Sequence, residues 1–550
     1  MPRSGRNPPG LVAFEGLLPA TSSPFQIRVE ILDWDFINYP RIELLSDPEG
    51  FRPHVDALGG LCYLGPGSVI FDRLQPLGNI ELCLKAAALE LNRQASPDYR
   101  HDESRYEFAR YWSRDCTLLG TVCPTKRLHP TLAGFIGTLP FLIADEATEI
   151  ERIRTAVMSG SGEKKEGDDR ISPSWIIRLD SDPWLDRNGP PNTWGELWTW
   201  IEMVDPRGAD CLRSVVNRKD FAETDRGVII FNHESKFFGV MTLIPKATRE
   251  TWALMKLKRR SPSELANYLK KHAGARIEIV TFEVMEVGAD FIHRRNLGMA
   301  ESLAGLKIHV VGAGAIGGFL AQQLSRLGAG ASGGELRIID PEILGSENIG
   351  RHILGVDSLL QPKATAVANF LARQFPMSNI TGLVTDARIV KDLFKCDFLV
   401  EATGEESLSL VLNEMHQYLL TSESSVPPML FAWVLGNGEV VQALLSDGGD
   451  HACYDCLNLP DRDGPDRQRF RVLKAPPDTK FIGCHTMRPY AVTAPTVAAA
   501  LATQIVADWK AGHPKPRFRT LYLGRGDHLH DIKKDADPKR LDRCLTCSKI

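Results

Sequence analysis

Leu306–Asp340 reads LKIHVVGAGAIGGFLAQQLSRLGAGASGGELRIID. Leu306–Val311 is an apolar run of strand length, broken by Gly312, Gly314 and Gly317. Ile316–Leu327 then repeats its apolar residues at helical spacing, and a second apolar run, Glu335–Ile339, ends in Asp340. Strand, glycine turn, helix, strand and acid in that order predict a nucleotide-binding βαβ unit. The glycines let the backbone turn tightly beside a phosphate, and the helix N-terminus offers unpaired N–H groups to it. Asp340 stands where a carboxylate accepts hydrogen bonds from a ribose. Dinucleotide oxidoreductases and ATP-dependent adenylating enzymes share this arrangement, so the fingerprint alone leaves both open.

Around this unit lies a chain of 550 residues, too long for one core, and two to four domains are expected. A hydrophobic fraction of 43% and a charged fraction of 24% are ordinary for soluble globular proteins, and the βαβ unit makes the expected fold class multidomain α/β. The net charge of −4 gives no footprint for nucleic acid. No apolar run is long enough for a bilayer, and MPRSGRNPPG lacks the apolar centre of a signal peptide. The expected compartment is the cytoplasm, where 11 cysteines read as metal ligands, nucleophiles or buried residues rather than disulfides.

The organisation reads as three parts. Residues 1–150 form an α+β domain, with strands at Phe25–Leu32 and Arg41–Leu45, a Gly/Pro-rich loop around Cys62, and helices at Ile80–Asn92 and Glu103–Trp112. Ser159–Asp169 reads as a flexible linker. Residues 151–290 hold that linker and a middle domain without a chemical motif, a decayed adenylation-like domain being one reading; Trp184, Trp194, Trp198 and Trp200 are expected in its core. Residues 291–550 hold the nucleotide unit.

After Asp340 come Asn348, Arg351 and Lys363, the last at a helix start. A nicotinamide site has no need of this set, whereas charge developing at the α-phosphate of ATP does. With the glycines and Asp340, these residues form a pattern that resembles the ThiF-like family of ubiquitin-activating enzymes and sulfur-carrier adenylyltransferases, over about residues 294–550. The resemblance implies a Rossmann-like adenylation domain. Asp340 would hold the ribose, Arg351 and Lys363 the phosphates, with Asn348 orienting them; the enzyme would be a homodimer using ATP and Mg²⁺. One departure stands out. Where the family has a magnesium-binding Asp, this chain has Gly404, leaving Glu401, Glu405 and Glu406 as substitutes.

Cys453-x-x-Cys456 and Cys544-x-x-Cys547 supply four thiolates in two short pairs, the donor set of a closed Zn²⁺ site. Cys484, beside His485 and Arg488, falls where the family accepts the activated acyl group as a thioester. YPRIELLSDPEGFRPHVDALGGLCYLGP in turn resembles the ubiquitin-conjugating core, which places Cys62 on the transfer cysteine, although His54 is followed by Val55 and Asp56 rather than by the family's Asn. A conjugating-like domain ahead of an activating domain resembles the fusion enzymes of CBASS antiphage systems. The resemblance implies a relay: ATP adenylates the C-terminal carboxylate of a ubiquitin-like or other partner protein, Cys484 takes the acyl group, and Cys62 delivers it to an amine-bearing target. Three other readings stand beside it: a ThiF-type adenylyltransferase for a sulfur carrier or peptide with a non-catalytic N-terminal docking domain, a nicotinamide oxidoreductase, and a scaffold with a decayed nucleotide site.

Overall fold

The structure is a computed structural model. It describes residues 12–548 apart from 21–23, 46–51, 57, 66, 107, 114, 123, 125, 162–169, 187, 259–260, 299, 423–424, 460–468, 483–484 and 532–534. Two compact units emerge, Met1–Ile150 with Lys165–Met285, and Glu286–Ile550 with Glu151–Lys164.

In the first unit, β1 (Val12–Leu18), β2 (Phe25–Ile31) and β3 (Arg41–Leu44) form an antiparallel meander. The alternation in β2 points Phe25, Ile27, Val29 and Ile31 to one buried face. Helix α1 (Pro76–Arg93) covers that core with Cys83, Ala87 and Leu91, spaced four residues apart along one stripe. Pro76 at its first turn has no N–H to leave unsatisfied. Helices α2 (Pro97–Tyr106) and α3 (Phe108–Trp112) follow over the stretch where a helix at Glu103–Trp112 is expected, with residue 107 between them outside the described residues.

The rest of the unit is a closed barrel. Its strands are β4 (Cys116–Leu119), β5 (Leu128–Ile136), β6 (Leu139–Ala144), β7 (Ile171–Arg178), β8 (Arg226–His233), β9 (Lys236–Leu243) and β10 (Glu278–Glu286), ordered β10-β4-β6-β5-β7-β8-β9. The boundary expected at residue 150 therefore runs through the barrel, since β4–β6 lie before it and β7–β10 after it. A closed mixed barrel also differs from the open doubly wound sheet of an adenylation-like domain, which corrects that reading of the middle segment. Helix α4 (Ala147–Ser161) continues into the start of the expected linker, most of which lies outside the described residues. Outside the barrel run α5 (Trp194–Val204), α6 (Pro206–Val216), α7 (Lys219–Glu223), α8 (Lys246–Leu257) and α9 (Pro262–Asn267). Trp194, Trp198 and Trp200 are buried in this layer and Trp184 packs against it, as expected of core residues. Phe108 and Trp112 of α3 belong to the same cluster.

The second unit opens with α10 (Ala289–Arg294) and then forms a seven-stranded sheet from β11 (Lys307–Val311), β12 (Glu335–Ile339), β13 (Ile380–Leu383), β14 (Phe398–Glu401), β15 (Met429–Leu435), β16 (Val440–Ser446) and β19 (Phe518–Tyr522), ordered β13-β12-β11-β14-β15-β16-β19. A small antiparallel ribbon, β17 (Lys480–Ile482) with β18 (His485–Met487), stands apart. Strands β13 to β15 run parallel and β16 and β19 antiparallel. Ile308, Val310 and Val311 in β11 are wholly or almost wholly buried, as a central parallel strand covered on both faces must be. The helices are α11 (Ala315–Arg326), α12 (Lys363–Gln374), α13 (Glu406–Ser422), α14 (Tyr454–Asn458) and α15 (Thr493–Lys510). Among the described residues no helix is long and apolar enough to cross a membrane.

Candidate functional sites

The glycine turn joins β11 to α11 and closes on Asp340 at the end of β12. Gly312 sits at φ +96°, and a Cβ there would lie 2.9 Å from the Thr403 side chain. Gly317 lets the helix pass over the turn: a Cβ at this position would lie 1.8 Å from the Gly312 carbonyl oxygen. Gly314 begins the helix as its N-cap, in extended backbone. Gly317→Ala is therefore expected to push the turn off its path and weaken ATP binding at least about 10-fold, read by calorimetric titration, with a stability loss of about 1–3 kcal/mol.

Asp340 is buried and accepts N–H bonds from Ala313 (2.7 Å) and Glu342 (2.8 Å). Burial pushes its carboxyl above the ordinary range, and those two N–H groups oppose the push. The segment after it doubles back, with Leu344 N–H on the Gln361 carbonyl (2.9 Å) and Lys363 N–H on the Glu342 carbonyl (2.8 Å). That return brings Lys363, buried and 23 residues along the chain, beside Asp340, where its ammonium pairs with the Glu342 carboxylate and favours the charged form of Asp340.

Asn348 caps the short 3₁₀ turn at Ser346–Arg351, its Oδ1 accepting the Gly345 N–H at 3.0 Å. Arg351 turns the other way: its guanidinium lies 4.6 Å from the centre of the Tyr490 ring and donates to the Arg488 carbonyl at 3.4 Å. The structure thus joins the glycines, Asp340 and Lys363 at one place and hangs Arg351 on the segment after Cys484. Cys484 itself, with Gly483, lies outside the described residues. The strands on either side of it, β17 and β18, pair with each other. Helix α15 starts at Thr493, nine residues after Cys484 in the sequence.

A cavity of about 310 Å³ opens against the turn, lined by Gly312, Asp340, Asp386, Arg388, Thr403 and Glu405 among others. Two features of this region carry no motif in the sequence, His352 beneath the turn and the Asp386–Arg388 pair on the cavity wall. His352 is buried and bonds the Ala313 carbonyl through Nε2 (2.6 Å), while its Nδ1 accepts the Leu354 N–H (3.1 Å). Burial holds it neutral, below its ordinary pKa, so it acts as a fixed strut under the turn. Asp386 and Arg388 form a bidentate pair on the cavity wall, and the guanidinium holds the Asp386 carboxyl below the usual range. Of the carboxylates around Gly404, Glu401 is fully buried and already bonded to Thr403 and Ser409. Glu405 lines the cavity.

Cys453, Cys456, Cys544 and Cys547 come together although the pairs lie 91 residues apart, with Sγ–Sγ distances of 3.9 Å (453–456), 3.7 Å (453–544) and 3.5 Å (456–547). Four sulfurs around a zinc at about 2.3 Å stand roughly 3.8 Å from one another. All four are buried. Hydrogen bonding from Cys453 pulls Cys456 toward thiolate. The cluster fits a tetrahedral, all-sulfur metal site.

In the first unit, Cys62 is exposed and its N–H donates to the His54 carbonyl at 2.7 Å. The residues between them form a tight reversal in which Gly60 (2.9 Å) and Leu58 (2.7 Å) donate to Asp56 Oδ1. A Cβ on Gly59 (φ +81°) would lie 2.5 Å from the Leu44 carbonyl oxygen, so this turn needs its glycine. Leu61 N–H continues onto the Ile42 carbonyl of β3 (2.7 Å), which ties the Cys62 loop to the sheet.

The model of the ThiF family matches residues 284–541. A protein of Pseudomonas aeruginosa (strain BWHPSA011 / Pa011), the ATP-dependent ubiquitin transferase-like protein Cap2, is 30% identical over 526 residues, which is 94% of this chain and 91% of that protein. The protein of the same name from Escherichia coli (strain TW11681) is 21% identical over 514 residues, 86% of this chain and 83% of that one. Among solved structures, E. coli MccB with ATP superposes with a TM-score of 0.35 at 15% identity, covering 56% of this chain and 95% of that chain.

Proposed function

The chain belongs to the family of ATP-dependent ubiquitin transferase-like proteins named Cap2, and from that premise we propose that Cys484 and Cys62 are the two stations of its acyl relay. The protein is an enzyme that spends ATP to activate a carboxylate at the C-terminus of a partner protein. One observation carries this reading: Asp340 accepts the Ala313 N–H of the glycine turn and stands beside the buried cation of Lys363, with a cavity opening on Gly312 and Asp340. The same cation argues against a nicotinamide oxidoreductase.

In the proposed sequence the carboxylate oxygen attacks the α-phosphorus of ATP and pyrophosphate leaves. Lys363 exchanges Glu342 for phosphate oxygen, and Arg351 leaves the Arg488 carbonyl to do the same. The Cys484 thiolate attacks the acyl carbon and AMP leaves. The Cys62 thiolate then displaces Cys484, and an amine displaces Cys62, losing a proton and forming an amide. The amine-bearing target, a homodimeric assembly, cytoplasmic location and a part in antiphage defence belong to this proposal. Mg²⁺ is expected to enter with ATP and neutralise phosphate charge, with Glu405 the carboxylate on hand where Gly404 replaces the family's Asp. ATP–pyrophosphate exchange dependent on a C-terminal peptide tests the adenylation; its absence would leave a decayed scaffold.

Zn²⁺ is the ion we assign to the four thiolates, where it supplies cross-linking rather than chemistry. Cys453 and Cys456 flank the start of α14, and Cys544 and Cys547 close the C-terminal segment. Elemental analysis is expected to give one zinc per chain. Cys544→Ser is expected to lower the melting temperature by roughly 5–10 °C, because metal binding and folding are linked.

A further inference from the structure

No motif gives the barrel a role, and the loop of Cys62 has no Asn beside its His. The two observations meet at His54. This residue holds a left-handed backbone, φ +59°, that a side chain rarely adopts, and its N–H, its carbonyl and its ring Nε2 are all held. Its N–H donates to Tyr111 Oη of α3 at 2.6 Å. Its Nε2 bonds Glu103 of α2 at 3.1 Å. Its carbonyl takes the Cys62 N–H. The preceding carbonyl, that of Pro53, accepts from the wholly buried Gln94 at 2.9 Å. Across the turn Val55 pairs with Leu61, so His54 and Cys62 stand opposite one another in an antiparallel pair.

Helices α2 and α3 take their own position from the barrel. Trp112 Nε1 donates to the Gly239 carbonyl at 2.9 Å, and the Lys236 ammonium donates to the Arg105 carbonyl at 2.7 Å and to Asp182 at 2.6 Å. Phe108 and Trp112 pack on Trp200 and Phe238 with ring centres 4.6–6.0 Å apart. We infer that α2 and α3, seated on the barrel, are the positioning device of the transfer cysteine: Glu103 and Tyr111 lock His54, and His54 sets the backbone of Cys62. The inference rests on Cys62 being the transfer cysteine. Glu103 and Tyr111 are positioning residues in it, and the barrel is their platform. In the step they serve, an amine nitrogen bonds to the thioester carbon, the carbon–sulfur bond breaks, sulfur leaves as thiolate, and the nitrogen gives its proton to solvent. Small displacements of a reacting atom suffice to cost large factors in such a step.

The test uses the full chain and a synthetic peptide-glycine thioester of mercaptoethanesulfonate, which can load Cys62 without ATP. Mass spectrometry follows the Cys62 adduct and its discharge to lysine. Tyr111→Phe and Glu103→Gln are expected to slow discharge at saturating lysine about 10-fold. The lysine concentration for half-maximal rate should stay unchanged, and the melting temperature should stay within about 2 °C of wild type. A merely structural role would move the melting temperature and the loading instead. Trp112→Phe, which cuts the link to Gly239 but keeps an aromatic ring, should slow discharge by a smaller factor. Discharge at the wild-type rate from loaded Tyr111→Phe and Glu103→Gln chains would overturn this inference alone. A wild-type chain whose Cys62 takes no acyl group would overturn it together with the reading of Cys62.

Discussion

In a Cys484→Ala chain given ATP, Mg²⁺ and ubiquitin-like proteins encoded by neighbouring genes, the thiol-sensitive adduct on Cys62 is expected to vanish while ATP–pyrophosphate exchange continues. The expectation follows from the order of bonds. In the proposed sequence adenylation is complete before any cysteine acts, since the groups proposed to hold ATP, the turn at Gly312–Gly317, Asp340, Lys363 and Arg351, include no thiol. The acyl phosphate it produces is a good electrophile with a stable leaving group, and one nucleophile is needed to take it as a thioester. Arg351 ties that chemistry to the segment that follows Cys484 through Arg488 and Tyr490, and Asn437 fastens the chain on both sides of it in sequence, at the carbonyls of Asp478 (2.9 Å) and Pro489 (3.2 Å). Cys62→Ala should do the converse, keeping an adduct on Cys484 and abolishing conjugation. Non-reducing gels of the two variants and their double mutant read all of this. A Cys62 adduct that persists in Cys484→Ala would remove Cys484 from the relay and make Cys62 take the acyl group directly from the adenylate. Exchange without any adduct on Cys62 would favour the adenylyltransferase with a docking domain.

The parts of the molecule that were legible in the sequence are those whose signal is local or carried by rare residue types. Leu306–Asp340 encodes strand, turn and helix within 35 residues, and the close approach of Gly317 to Gly312 and the bond from Ala313 to Asp340 both lie inside it. The two Cys-x-x-Cys pairs announce each other across 91 residues because a short thiol spacing has few other uses. The barrel had no such signal. Its strands look individually like ordinary apolar runs, and what closes them is pairing between β4 and β10, more than 150 residues apart in sequence, on which periodicity is silent. The neighbours of Glu103–Trp112 were silent in the same way: Phe108 and Trp112 are drawn into the aromatic layer beside the barrel, while Glu103 faces His54. His352 and the Asp386–Arg388 pair escaped for a different reason. They act through a single imidazole bond and a pair of neighbouring charges, arrangements that a sequence contains many times without consequence.

Lys363→Ala is expected to reduce ATP–pyrophosphate exchange by about 10²–10³-fold, the range found when one preorganised charge is removed from a developing anion. Lys363 is 6% exposed, so its ammonium works in a medium that screens it little. It pairs with Glu342 and stabilises the charge of Asp340, and under the proposed mechanism an ATP phosphate competes with Glu342 for it. Glu342 is the partner that can yield, because its side chain is 62% exposed and water can take over its solvation. Two comparisons separate the charge from the fold. Lys363→Arg keeps the cation but spreads it over a planar fork, and should retain more exchange activity than Lys363→Ala. Glu342→Gln leaves Lys363 without its resting partner and should tighten ATP binding by about 2–3-fold, a modest factor because the Glu342 side of the pair is exposed and screened by water. Circular dichroism of Lys363→Ala should remain that of wild type, because the helix it begins, α12, is held by Ala364, Val367 and Leu371 in the core. Exchange at the wild-type rate in Lys363→Ala would take the phosphate site away from this residue and leave Arg351 as the cation to examine. A fall in exchange accompanied by tighter ATP binding in Glu342→Gln would establish that the resting ion pair and the phosphate contend for one ammonium.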